Sequence, residues 1–263
     1  MKTLLIFLMM VGTCYNALAA PFFEGNDEYT DYSQDADAVG VWRFNSDTAD
    51  TAIDTSGSDN HLTLGGSPTY VTTGKEGNAW SFDSDGDAVG AVDIDAVDSA
   101  TKLTVVAWVN LDAATSDDYV IENADNFSSG GFLFFRDESS AGSGRDDVWR
   151  VTLYDSTDAT DIDIESNNGS AATTGTWIHL AFTADLGSAT GLRLYVDSVE
   201  VDDSPVNIST VTAIDSGSGT WTIGTNSFST FNRGFNGTID EVSTFDRILS
   251  TAEILEIYTR GIK

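Results

Sequence analysis

From Val39 onward, short runs of β-branched and aromatic residues alternate with clusters of Gly, Ser, Asp, Asn and Thr. The runs are Val39 to Phe44, Ala79 to Phe82, Leu103 to Leu111, Gly131 to Arg136, Val148 to Tyr154, Trp177 to Thr183, Leu192 to Val196, Trp221 to Gly224 and Gly237 to Phe245. Within them the period is two. Trp149, Val151 and Leu153 point to one side and Arg150, Thr152 and Tyr154 to the other, as in a strand with one buried and one wetted face. Strands at this spacing predict a β-sandwich, and the few prolines and lack of a 3.6-residue period before the C-terminus argue against interleaved βαβ units. Near the end, Ser250 and Glu253 have the spacing of a capping box, so Ile254, Leu255, Ile257 and Tyr258 predict one short amphipathic helix ending at Gly261. No repeat and no boundary interrupts residues 39–263, which read as one domain.

Ahead of that domain the pattern changes. Met1 to Ala19 carries one cation at Lys2, an apolar run from Leu4 to Gly12 and the small-x-small sequence Ala17-Leu18-Ala19, so residues 1–19 read as a secretion signal and the protein as secreted. The run is too short for a membrane anchor, and no later window supplies one, so membrane insertion is not expected. Residues 20–38 are acidic and aperiodic and read as a tail. Phe22 and Phe23 are its apolar anchors for self-association, docking on a neighbouring copy as a donated strand does.

Charge narrows the partners. The chain has 12 Lys plus Arg against 42 Asp plus Glu, a formal net charge of -30. Losing Lys2 with the signal leaves 11 bases against 42 acids, or -31. Dispersed bases in such excess acid cannot build the cationic patch that nucleic acid requires. The single Cys14 lies in the signal, so no disulfide staples the mature chain and its stability must come from core burial. With only His61 and His179, zinc sites built from Cys or several His are excluded, while a hard cation held by oxygen ligands suits the composition. Lysine is scarce and Asp far outnumbers Glu, as in chains adapted to saline media or in acidic extracellular proteins generally.

Several segments, in order, carry a family resemblance: Val41-Trp42-Arg43-Phe44, Asp54-Thr55-Ser56-Gly57 with Asn60-His61-Leu62, Gly74 to Asp83, Leu103 to Val109, Trp177 to Phe182, Leu192 to Asp197, and Phe235 to Val242 followed by Phe245 to Ser250. Together they resemble the laminin G-like jelly roll of the concanavalin A-like lectin and glucanase superfamily. The resemblance implies an all-β fold, a two-sheet antiparallel jelly-roll sandwich with one concave sheet and a short C-terminal helix. Ser198 departs from the family, which usually has Gly after Tyr-Val-Asp. In many relatives the aspartate at the position of Asp240 binds a structural calcium, so the resemblance implies Ca2+ at Asp240, with carbonyls near Asn45 and at Gly77 completing the shell.

Function must come from residues, because this fold serves binding and catalysis alike. Asp161-Ile162-Asp163-Ile164-Glu165 puts three carboxylates on one strand face and is similar to the Glu-x-Asp-x-Glu strand of related glucanases, but it stands too close to Trp177 and begins with Asp. His179 reads as a packed structural histidine. His61 lies in a polar loop without the Tyr-Arg-Gln partners of a lyase, and no nucleophile elbow or phosphate loop is present. Tyr119, Arg136, Arg150 and Tyr154 supply aromatic faces and planar donors for sugar binding, and the charge makes a neutral glycan the expected partner. The leading expectation is a secreted, non-catalytic, lectin-like domain that binds extracellular glycan or mediates adhesion. The alternative is a self-assembling extracellular structural subunit using its tail, with a polysaccharide hydrolase or lyase behind both.

Overall fold

The computed structural model describes residues 30–262 apart from 84–86, 99, 115–116, 124–129, 139–146, 155–160, 168–170, 172, 214–219 and 227–232. The strands in chain order are β1 (Ala38–Trp42), β2 (Thr51–Ala52), β3 (Leu62–Gly65), β4 (Thr69–Val71), β5 (Ala79–Asp83), β6 (Ala88–Asp93), β7 (Lys102–Leu111) and β8 (Asp118–Glu122). They continue as β9 (Gly131–Asp137), β10 (Val148–Tyr154), β11 (Asp161–Glu165), β12 (Ile178–Asp185), β13 (Leu192–Val196), β14 (Val199–Glu200), β15 (Thr220–Ile223) and β16 (Asn236–Phe245). Helix α1 (Thr251–Arg260) follows, and its capping box is formed by Ser250 and Glu253 as the sequence predicts.

Two eight-stranded antiparallel sheets result. The first runs β14-β13-β12-β7-β16-β5-β4 with β1 also paired to β16, and the second runs β11-β10-β9-β8-β15-β6-β3-β2. Period-two alternation sends one set of side chains from each sheet into a shared core. Val105, Ala107, Val109, Leu180 and Phe182 come from the first sheet, and Phe132, Phe134, Trp149, Val151, Leu153 and Trp221 from the second. Phe132 and Phe134 both meet Phe182 edge-on, at 5.1 and 5.3 Å, which locks the sheets face to face. Each such buried ring contributes roughly 1.5–3 kcal/mol of transfer free energy.

The first sheet is covered on its outer side as well. Ile254 and Ile257 of α1 pack with Val106, Ala181, Tyr195 and Phe245. Tyr32 joins the same cluster, its N–H donating to the Ile262 carbonyl at 2.9 Å and its hydroxyl to Glu256. Asp35 pairs with Arg247 at 2.6 Å. The packed unit therefore begins at Asp31, and residues 31–38, assigned to the tail from their polarity, are part of it. Their polar side chains hid one buried tyrosine and two acids, Asp35 and Asp37, that pair with Arg247. The signal segment and Phe22 and Phe23 lie outside the described residues. Among the described residues, no helix is long and apolar enough to cross a membrane.

β16 changes partners along its length, pairing with β5 through Asn236 to Ile239 and with β1 through Val242 to Phe245. A bulge between Asp240 and Ser243 marks the change, and Glu241 takes a left-handed backbone at φ 49°. The hairpin between β13 and β14 turns through Asp197 and Ser198, at φ 49° and 64°. That is the position where the family usually has Gly, and Ser occupies it at a steric cost of about 1 kcal/mol.

Candidate functional site

The outer face of the second sheet gathers most of the residues expected to meet sugar. Cross-strand pairing sets Arg150 opposite Glu165, Thr152 opposite Asp163 and Tyr154 opposite Asp161. The Arg150 guanidinium reaches Asp137 at 2.6 Å, Asp163 at 2.8 Å and Glu165 at 2.9 Å, and the Thr152 hydroxyl donates to Asp163 at 2.7 Å. Burial raises the Asp137 carboxyl, with Arg150 pulling it down, while burial and then the neighbouring Asp163 charge raise Asp161. Asp163 and Glu165 are thus engaged by one guanidinium, an arrangement unlike the acid and nucleophile pair of a retaining glycosidase.

Beside this polar network lies a small apolar cluster of Tyr119, Leu133, Phe135 and Tyr154. Tyr119 stacks on Phe135 with ring centres 5.0 Å apart and planes 9° from parallel. Both tyrosines are 4% exposed, so their rings are packed and not open platforms. Side chains of Asn226 and Arg233 hydrogen-bond the Tyr119 hydroxyl, whose pKa burial pushes up. Tyr154 is likewise raised, by burial first and by Asp161 next. The two tyrosines and Arg150 thus share one face, as the alternation predicts.

Arg136 does not join them. It has the same strand parity as Phe132 and Phe134, points to the core side and is fully buried. It pairs with Asp118 at 2.8 Å and with Asp147. Asp118 also accepts the Asn236 N–H, and burial pushes its carboxyl up to about 6 against the pull of Arg136. Arg136 is a structural cation that ties β8, β9 and the entry to β10, which corrects its reading as a sugar ligand. Parity with the two phenylalanines was the available signal.

Asp240, Asn45 and Gly77 do come together, around the turn over residues 74–78. Asp240 is fully buried, accepts the Glu76 N–H at 3.0 Å on one oxygen and the N–H of Glu241 at 2.8 Å on the other, and so satisfies an amide at the bulge. Asn45 Oδ1 accepts the Asn78 N–H at 2.8 Å, and its Nδ2 donates to the Glu76 carbonyl. Gly77 sits at φ 86°, where an added Cβ would fall 2.2 Å from Asn45 Oδ1, so only Gly allows this approach. Burial, followed by the Glu241 charge, pushes the Asp240 carboxyl up to about 8 although backbone N–H groups pull it down. The donor set fits a hard cation. Among the described residues the buried Asp240 carboxyl has no cationic side-chain partner, and beyond the backbone N–H groups of Lys75, Glu76 and Glu241 it keeps a lone pair, as do the Asn45 amide and Gly77 carbonyl oxygens.

Both histidines are structural in placement. His61 Nδ1 accepts the Asp54 N–H at 3.0 Å. His179 is fully buried between Trp108 and Tyr258, with ring centres at 5.1 and 5.6 Å, and neither ring nitrogen has a partner among the described residues. Burial, with the nearby Lys75 charge, pulls its pKa down to about 3. Lys75 lies 3.7 Å from the centre of the Trp108 ring.

Residues 82–255 match the family model described as the concanavalin A-like lectin/glucanases superfamily, of the laminin G type. The chain belongs to this superfamily. No curated protein matches it. Among solved structures, the superfamily member is similar to the binding domain of Paraclostridial Mosquitocidal Protein 1, with TM-score 0.66 and 15% identity over 84% of this chain and 52% of that one. It is similar to domain 4 of AbnA, a GH43 extracellular arabinanase from Geobacillus stearothermophilus solved with arabinotriose, with TM-score 0.61 and 17% identity over 84% of this chain and 98% of that one. It also resembles the receptor binding domain of botulinum neurotoxin C/D mosaic serotype, with TM-score 0.64 and 14% identity over 85% and 51% of the two chains. The chain spans about half the length of the toxin domains it matches. At these identities the likeness is one of fold.

Proposed function

We propose that this protein is a secreted, non-catalytic, lectin-like module that binds neutral extracellular glycan on the outer face of its second sheet. The observation that carries the reading is the Arg150 network. One guanidinium, four carboxylates (Asp137, Asp161, Asp163 and Glu165), the Thr152 hydroxyl and the Tyr154 edge share one face. Carboxylates accept hydrogen bonds from sugar hydroxyls, and guanidinium N–H groups donate to hydroxyl oxygens. With four acids to one base the face repels uronates, sulfates and sialic acids. The arabinotriose complex of AbnA domain 4 supports a saccharide as the ligand class for this architecture. Calcium held at Asp240, with Asn45 and Gly77, stabilises the fold in this reading and takes no part in contacting the sugar.

A glycan array of neutral, amino and anionic saccharides, probed with the mature protein in calcium, tests the proposal. Neutral oligosaccharides are expected to bind, with at least tenfold loss in Arg150→Gln. Silence across the neutral set, preference for anionic glycans, or turnover of a bound polysaccharide would overturn it.

A further inference from the structure

A cavity of about 260 Å³ lies between the β1–β2 connection and the start of the β2–β3 connection, lined by Arg43, Phe44, Asn45, Ser46, Ile53 and Thr55. Two non-glycine residues beside it hold left-handed backbones, Phe44 at φ 56° and Glu241 at φ 49°. A bulky residue in that region is strained, and such strain persists where surrounding structure over-determines it. Here the over-determining contacts are visible. The Phe44 ring is buried, its carbonyl accepts the Tyr70 hydroxyl at 2.8 Å, and Arg43 Nε donates to Glu241 at 3.3 Å. The Glu241 side chain is 3% exposed and the Arg43 side chain 31%, so a buried carboxylate holds a half-open guanidinium by its Nε edge. Among the described residues, neither Nη group of Arg43 has a hydrogen-bond partner, and neither does the Ser46 hydroxyl. Thr55 donates its hydroxyl to the Val41 carbonyl and keeps its oxygen lone pairs as acceptors.

We infer that this cavity is a second saccharide site, taking a single neutral monosaccharide residue, with the Arg43 Nη pair donating to two vicinal sugar oxygens. A planar fork held from behind meets adjacent hydroxyl oxygens two at a time, as it meets a carboxylate. Ile53 supplies an apolar wall for ring C–H groups, and Ser46 and Thr55 supply further hydroxyl partners. The volume is below the range of pockets that enclose drug-sized ligands, and therefore suits one ring of a glycan and not several. Glu241 neutralises Arg43 as it orients it, so the cavity offers no net positive charge to an acidic sugar, and the excess acid of the chain repels one. This site is separate from the Arg150 network, which stands on β10, and neither proposal depends on the other.

Saturation-transfer NMR and calorimetry with D-glucose, D-galactose, D-mannose and L-arabinose, with D-glucuronate and N-acetylneuraminate as anionic probes, test the inference. At least one neutral sugar is expected to bind with a Kd on the order of millimolar, as a few hydrogen bonds allow. Added to Arg150→Gln, Ser46→Trp fills the cavity from an exposed position, leaves the Arg43 and Glu241 pair intact, and should abolish the remaining binding. Arg43→Lys keeps the charge, loses the fork and should weaken binding about tenfold. Arg150→Gln serves as the background for these titrations, so the sheet face is removed from the readout and the binding that remains reports the cavity. In the Arg150→Gln background, no neutral sugar bound at concentrations about tenfold above millimolar, binding that survives Ser46→Trp, or a preference for glucuronate would each overturn the inference.

Discussion

Replacing His179 with Leu should stabilise the protein, and by more in acid than at neutral pH. The imidazole is fully buried under Tyr258 of α1 and against Trp108, and its two nitrogens have no partner among the described residues. A buried polar group left without partners costs about 1–3 kcal/mol, a penalty that Leu removes at any pH. The pH-dependent part follows from linkage. The folded pKa, about 3, lies below the ordinary value of 6.5. Between these values the unfolded chain holds a proton that the folded chain refuses, so the contribution of His179 to stability is present above 6.5 and is lost progressively as pH falls towards 3. At pH 4.5, about two units below the unfolded value, the loss is about 2.7 kcal/mol at 1.36 kcal/mol per unit. Leu does not titrate. The stability difference between variant and wild type should therefore widen by about 2–3 kcal/mol between pH 7.5 and 4.5, or roughly 5–10 °C in melting temperature for a domain of this size. Urea unfolding of both proteins at the two pH values measures it, with effects of other carboxyls cancelling in the comparison. A difference that stays constant with pH, or narrows in acid, refutes the picture of a neutral histidine sealed beneath the helix.

Three further outcomes follow from the packing, and one from the charge. Arg136→Ala leaves Asp118 and Asp147 without their shared cation and should cost about 3–5 kcal/mol in chemical denaturation, without changing monosaccharide binding. Chelation should lower the melting temperature and calcium restore it, by about 2.7 kcal/mol at a hundredfold excess over Kd, and Asp240→Asn should remove the response; an unchanged melt under chelation refutes the metal site. Deleting residues 20–30 should preserve the melting temperature and, if Phe22 and Phe23 join copies, abolish association in light scattering, whereas deletion through Ala38 also removes buried Tyr32 and the Asp35 pair and should lower the melt by several degrees. Raising NaCl from low ionic strength should raise the melting temperature until the Debye length reaches about 8 Å, because screening relieves the repulsion of 42 acids against 12 bases; a melt that falls with salt refutes the claim that repulsion outweighs the attractive ion pairs.

What the sequence made legible was side-chain parity within long strands. Trp149, Val151 and Leu153 are in the core and Arg150 and Tyr154 on the opposite face, because both depend only on the two-residue period. The short strands β2, β3, β4 and β14, together with β6 and β8, do not stand out along the chain. They are two to six residues long, and β6 and β8 carry glycine or acidic residues that lower local strand propensity. Bulges were not legible either. One lies between Tyr119 and Ile121 and another between Asp240 and Ser243, and each shifts parity by one residue without a local sequence mark. The Arg43 cavity depends on such a feature, since its orienting carboxylate comes from the bulged stretch of β16, distant in sequence. No spacing along the chain could have paired Arg43 with Glu241.

The arginines explain how so acidic a chain keeps a defined surface. Of its 12 bases only Lys2, Lys75, Lys102 and Lys263 are lysines, which leaves 12 minus 4, or 8, arginines. Among the described residues, Arg136, Arg150 and Arg247 each engage more than one carboxylate. Arg136 takes Asp118 and Asp147; Arg150 takes Asp137, Asp163 and Glu165; Arg247 takes Asp35 and Glu253, with Asp37 at 3.8 Å. A guanidinium can do this because its five N–H donors lie in one plane along several edges, whereas an ammonium is a compact point charge that fixes no orientation. Each cluster keeps net negative charge, so it positions its carboxylates without neutralising them. At Arg136 the guanidinium and Asp118 are sealed and serve the fold, and at Arg247 the cluster fastens the N-terminal turn to the start of α1. At Arg150 it faces outward, with the side chain 26% exposed, so the same electrostatic device leaves oriented carboxylate lone pairs turned to solvent, where hydroxyl-bearing ligands can use them.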